Sequence, residues 1–161
     1  MKKLLVLLSL CFVSFNLFAN SQAQNADIAQ SYFDAYIARD WQTLASYFDE
    51  EGSFADTTAK PVFGDVAVEG KEETLAYFTR NYASIKAMSF HSSRQWVSGD
   101  IAVFEGTLNW QLEIAENKVV DTQNMPFITI LELKNGRVFR HRDYADYTPF
   151  LTAYAAVDSP N

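Results

Sequence analysis

The sequence predicts an α+β fold in which three N-terminal helices pack on a strongly curved, antiparallel-rich sheet. Three observations predict it. Apolar residues recur at helical spacing in segments between Asp27 and Tyr82. From Met88 onward the period changes to two, and turn signals separate long alternating runs. Helices followed by strands place the helices on one face of a sheet. Such a sheet, curling round its helices, leaves a cavity between the layers, which is the default place for a site.

Residues 1–23 have the three parts of a secretory signal: the basic start Lys2-Lys3, the apolar run Leu4 to Phe18, and a small, polar end. Ser21-x-Ala23 places cleavage after Ala23, and Ala19 is the alternative. The run is short for a membrane span of about 20 residues. The domain then covers residues 24–150 and a tail covers 151–161.

In the first helix, Asp27 to Arg39, Ile28, Tyr32, Phe33, Ala35, Tyr36 and Ile37 recur at helical spacing. Asp40 caps a second, short helix with Trp41, Leu44, Ala45 and Phe48 on its buried stripe, and Glu51-Gly52 ends it. Ser53 to Ala55 is extended, and Thr57 to Phe63 reads as a loop. Val66 and Val68 alternate briefly, and the third helix runs from Lys71 to Tyr82 with Leu75, Phe78 and Tyr82 on one stripe. Strands follow over Met88–Val97, Ile101–Ile114, Lys118–Leu133 and Val138–Tyr147. Pro126 suggests a bulge or a break in the ladder, and Asn135-Gly136 a hairpin turn because both residues accept positive φ. From Thr148 the chain is small and polar and is expected to be loosely held.

The chain has 161 residues, 48% of them hydrophobic, which suits one packed domain. Its formal charge is -7; without Lys2 and Lys3, 11 basic residues face 20 acidic ones, or -9. That charge argues against nucleic acid or anionic lipid as partner. Cys11, the only cysteine, lies in the leader, so the mature chain has no thiol chemistry and needs no disulfide. Two histidines without metal-ligand spacing argue against a dedicated transition-metal site.

Alternation sorts the candidate polar residues. His141 and Asp143 share one face of the last strand, where a carboxylate can orient an imidazole for acid–base work or a charged strand end can simply stay solvated. Val103, Glu105, Thr107 and Asn109 alternate with Phe104, Gly106, Leu108 and Trp110. Either the polar face meets water, or it lines the cavity and Trp110 enters a subunit contact. Asp56 either caps a turn or stands at the cavity mouth.

Several pieces in order resemble one family. They are Tyr32-Phe33-x-Ala35-Tyr36 running to Asp40, Tyr47 to Glu51 before Phe54-Ala55-Asp56, Gly70 opening a helix, and Gly136-Arg137-Val138 leading into Arg142-Asp143-Tyr144-x-Asp146. The chain is similar to the NTF2-like superfamily of cone-shaped, cystatin-like folds, in its SnoaL-like and ketosteroid-isomerase-like branch. That resemblance implies Asp56 as general base and Tyr32, 24 residues earlier, as donor to an oxyanion. The position of the isomerase's second acid holds Ile128, which cannot donate a hydrogen bond, so that oxyanion hole is incomplete and the polyketide-cyclase branch is the nearer likeness. The resemblance further implies that Asp143 orients His141 as proton shuttle, that Phe78 forms an apolar wall, and that Val103, Glu105, Thr107, Asn109 and Ile128 face the substrate.

No cofactor is implied. The expectation is an exported, periplasmic or secreted protein with a polar-lined cavity for a small, partly apolar molecule. It would perform acid–base isomerase or cyclase chemistry, or bind the molecule without chemistry. A homodimer is expected through the outer sheet face, with Trp96, Phe104, Leu108 and Trp110 as the patch.

Overall fold

The computed structural model describes residues 22–158. Of the leader expected over residues 1–23, the part up to Ser21 lies outside them, as does the tail from Ser159. Helix α1 spans residues 22–38 and ends where Arg39 adopts a positive φ of 58°. Asp40 then caps α2 (Trp41–Tyr47), its carboxylate accepting from the Thr43 amide at 3.0 Å. The chain continues through β1 (Phe48–Asp56), the single turn α3 (Lys60–Phe63), β2 (Val66–Glu69) and α4 (Lys71–Asn81). Three long strands follow, β3 (Ile85–Ser98), β4 (Ile101–Ala115) and β5 (Lys118–Lys134), then β6 (Arg137–Ala145) and α5 (Thr148–Asp158).

The six strands form one sheet in the order β2-β1-β6-β5-β4-β3. All pairs are antiparallel except β1 with β6. That parallel pair sets Phe54 beside His141 and Asp56 beside Asp143, and β5 adds Thr129 opposite Asp143. One row of the inner face therefore carries two carboxylates. Tyr32, Phe33 and Tyr36 of α1 are buried against that face, each such ring contributing about 1.5–3 kcal/mol.

Three local expectations need correction. Glu51-Gly52 does not end α2; Phe48 already begins β1, which runs through Gly52. A Cβ on Gly52 would lie 2.9 Å from both the Asp49 carbonyl oxygen and the Phe48 ring, so the glycine permits a close approach there. The bulge expected at Pro126 sits earlier, at Gln123-Asn124, where Asn124 has a φ of 55° and its amide donates to Asn109 Oδ1 at 2.7 Å. The segment from Thr148 is a helix, anchored by buried Phe150 and packed on β5.

The bulge decides which side chains face inward. Before it Val120 and Thr122 are buried; after it Met125, Phe127, Thr129, Leu131 and Leu133 are. The parity switches from even to odd, and Ile128 turns to the outer face. On β4 the core-facing residues are Ala102, Phe104 and Leu108. Val103, Glu105, Thr107 and Asn109 consequently lie on the outer face, against expectation.

Candidate functional site

Asp56 ends β1 and starts a tight turn. Its Oδ1 accepts from the Thr58 amide (2.9 Å), the Thr58 hydroxyl (2.7 Å) and the Ala59 amide (3.0 Å). Its Oδ2 accepts from the Tyr147 hydroxyl at 2.5 Å. Thr58 Oγ1 also accepts from the Ala145 amide at 2.7 Å, which fastens the turn to β6. Asp56 Oδ1 thus takes three donors and Oδ2 one, so of the carboxylate's roughly four acceptor positions one on Oδ2 stays open.

Asp56 stands on the wall of a cavity of about 260 Å³. Tyr77 of α4, Tyr82 just after it, Trp110 and Leu112 of β4, Phe63 of α3 and Tyr147 line it as well. The Tyr77 hydroxyl makes no hydrogen bond among the described residues. Burial, followed by the nearby negative charge of Asp56, raises the pKa of the Tyr77 and Tyr147 phenols above the ordinary value.

Behind this wall lies a closed polar network in the core. His141 is fully buried, with Phe54 and Tyr36 ring centroids at 4.9 and 4.6 Å. His141 Nε2 lies 2.8 Å from Asp143 Oδ1, and its Nδ1 lies 3.0 Å from the Tyr32 hydroxyl. The carboxylate can only accept, so Nε2 carries a proton. The His141 Nδ1 pairs with the buried Tyr32 hydroxyl. Asp143 also accepts from Thr129 at 2.6 Å and from Tyr36 at 2.8 Å. Tyr36 in turn pairs with Tyr82 at 2.6 Å. With the Tyr36 proton committed to Asp143, Tyr82 donates to Tyr36. Desolvation first, then the charge of Asp143, pushes the Tyr32, Tyr36 and Tyr82 phenols well above their ordinary value.

The expected site residues therefore divide. Asp56 is on the cavity wall. Tyr32, His141 and Asp143 do meet one another, but in the core rather than on that wall. Phe78 is buried beside them, stacked on Trp41 at 5.0 Å. Of the residues expected to face the substrate, Glu105 forms a 2.7 Å ion pair with Arg94, Asn109 holds the β5 bulge, Thr107 lies opposite Pro126, and Ile128 faces outward. Val103 lines a different depression of about 550 Å³ between α1 and the β3–β4 edge, whose lining side chains include no ionisable group. Trp110, expected in a subunit contact, lines the cavity instead, while Phe104 and Leu108 are core. Sequence reasoning missed Tyr77, Phe63 and Tyr147 as cavity residues. Tyr82 was legible as part of the α4 stripe, and Tyr77 sits beside buried Phe78 on that helix.

A family profile described as the SnoaL-like domain matches residues 29–141. No functionally curated protein matches the chain in sequence. Among solved structures, a candidate SnoaL-like polyketide cyclase from Shewanella putrefaciens is 23% identical with a TM-score of 0.71, covering 83% of this chain and 97% of its own. Another from Shewanella denitrificans is 21% identical, also at 0.71, covering 82% and 97%. A protein of ketosteroid-isomerase-like fold from Catenulispora acidiphila, solved with trimethylamine, is 17% identical at 0.63, covering 78% and 90%. These likenesses establish the shared fold.

Proposed function

The chain belongs to the family of SnoaL-like domains, and from that premise we propose that it binds a small, partly apolar molecule in the cavity beside Asp56 without transforming it. One observation carries this reading: the acid–base groups implied by the resemblance are already engaged. Asp56 has four donors on its two oxygens. His141 has both ring nitrogens bonded inside the core. A cavity of about 260 Å³ lies below the ~300–1,000 Å³ of pockets for drug-sized ligands, which suits a smaller molecule. The trimethylamine complex of the Catenulispora protein is in keeping with such a use of this fold.

Native mass spectrometry of the chain purified from an exporting host tests the reading. The expected result is a bound small molecule, recovered unchanged after prolonged incubation. Its conversion to another compound by the native chain, lost in Asp56→Asn, would establish turnover instead. Export through the Lys2–Ala23 leader and a periplasmic or secreted location belong to the same proposal, and the N-terminal sequence of protein from the periplasmic fraction checks them. Pairing through the outer sheet face belongs to it as well. There Trp96 is 49% exposed beside Val103, which pairs with Ile130. Sedimentation at micromolar concentration should show a dimer, and a monomer alone would refute the pairing.

A further inference from the structure

Resting on the reading that the cavity binds a small molecule, we propose that its ligand is a small organic cation of the alkylammonium class. Two observations carry this. First, the cavity-lining residues include Asp56 and Asp65 but no lysine, arginine or histidine. Asp65 is exposed and paired with Lys60 at 2.9 Å. Asp56 is buried and has no cationic partner among the described residues. Its register neighbour Asp143 lies 2.8 Å from His141 Nε2. Asp56 thus stands on the cavity wall as a buried carboxylate with no cationic side chain beside it, although burying an uncompensated charge is costly. A bound cation supplies the missing charge.

Second, the remaining walls are aromatic. Phe63 meets Trp110 at 6.1 Å and 81°, and Tyr147 at 5.7 Å and 77°. Tyr77 of α4 and Tyr82 just after it also line the cavity. Rings meeting near right angles build the corner of a box, and aromatic faces attract alkylammonium groups that shed little hydration. A neutral ligand would use the rings but leave the field of Asp56 unanswered, and an anion would be repelled by it.

Titration calorimetry with the matched probes choline, its neutral isostere 3,3-dimethylbutan-1-ol, and 3,3-dimethylbutanoate tests the proposal on the full chain. Choline should bind about tenfold or more tightly than the isostere, and the carboxylate should bind least. Asp56→Asn should reduce the preference for choline. Tyr147→Phe, which bares Oδ2 while keeping the carboxylate, should strengthen choline binding, and it keeps the test valid if Asp56→Asn fails to fold. Equal or tighter binding of the isostere would overturn the cation inference while leaving small-molecule binding intact. Failure of all three probes at millimolar concentration would overturn the cation inference; the reading of the cavity as a binding site would then stand or fall on native mass spectrometry.

Discussion

Asp56 and His141 show how differently two candidate residues can resolve. Both stand on inner-facing positions of neighbouring strands, and Phe54 and His141 are register partners. Asp56 sits at the strand end, where the chain leaves the layer and a cavity opens. His141 sits two residues earlier in the register, under α1, where aromatic rings close over it. The period-two spacing of His141 and Asp143 was legible in the sequence. Whether their face met solvent, cavity or core was not, because that depends on which helix lies above. Tyr32→Phe should cost about 1–3 kcal/mol by leaving Nδ1 buried without its partner, read by denaturant unfolding. Ligand affinity should stay within about twofold, since Tyr32 does not line the cavity. A stable Tyr32→Phe chain with weakened binding would place Tyr32 in the site after all.

At the scale of elements, helices with a strong apolar stripe and turns with Asn-Gly were readable. Asn135 and Gly136 have φ of 53° and 72°, as the hairpin requires. The last helix was not readable as structure because its residues are small and weakly patterned. Alanine nevertheless favours helix, and Ala153, Ala155 and Ala156 extend α5 once Phe150 anchors it. The position of the β5 bulge was also hidden, since it rests on the cross-strand bond from Asn124 to Asn109. That one shift explains why Ile128 faces outward. Phe150 lies 5.3 Å from both Phe63 and Trp110, ring centre to ring centre, so α5 supports two cavity walls. Phe150→Ala should cost about 3–5 kcal/mol and weaken ligand binding, measured by thermal unfolding and calorimetry. Unchanged stability would mean that α5 is not part of the packed unit.

For the whole molecule, the fold class followed from the order of helical and alternating patterns, and the SnoaL-like resemblance held. The parallel pairing of β1 with β6 could not be read, since these strands are far apart in sequence. That pairing concentrates negative charge and phenols in one layer, which gives the protein a pH signature. Tyr32, Tyr36, Tyr82 and Tyr147 all have raised folded-state values. In the unfolded chain a phenol titrates near ~10. Below that pH both states keep the proton and the stabilisation is complete. As pH rises above it the unfolded state binds fewer protons, so stability falls, by about 1.4 kcal/mol per pH unit for each phenol still held neutral. Phenolate absorbance of these four should therefore appear together with unfolding. Their titration near pH 10 in a folded chain would contradict the buried network.

The most direct test of the central claim is a crystal structure of the chain with the molecule recovered from it. The account predicts the molecule between Trp110 and Tyr77, with the Tyr147 hydroxyl still bonded to Asp56. A molecule in the depression beside Trp96, or one that displaces Tyr147 and places a carbon acid against Asp56, would contradict it.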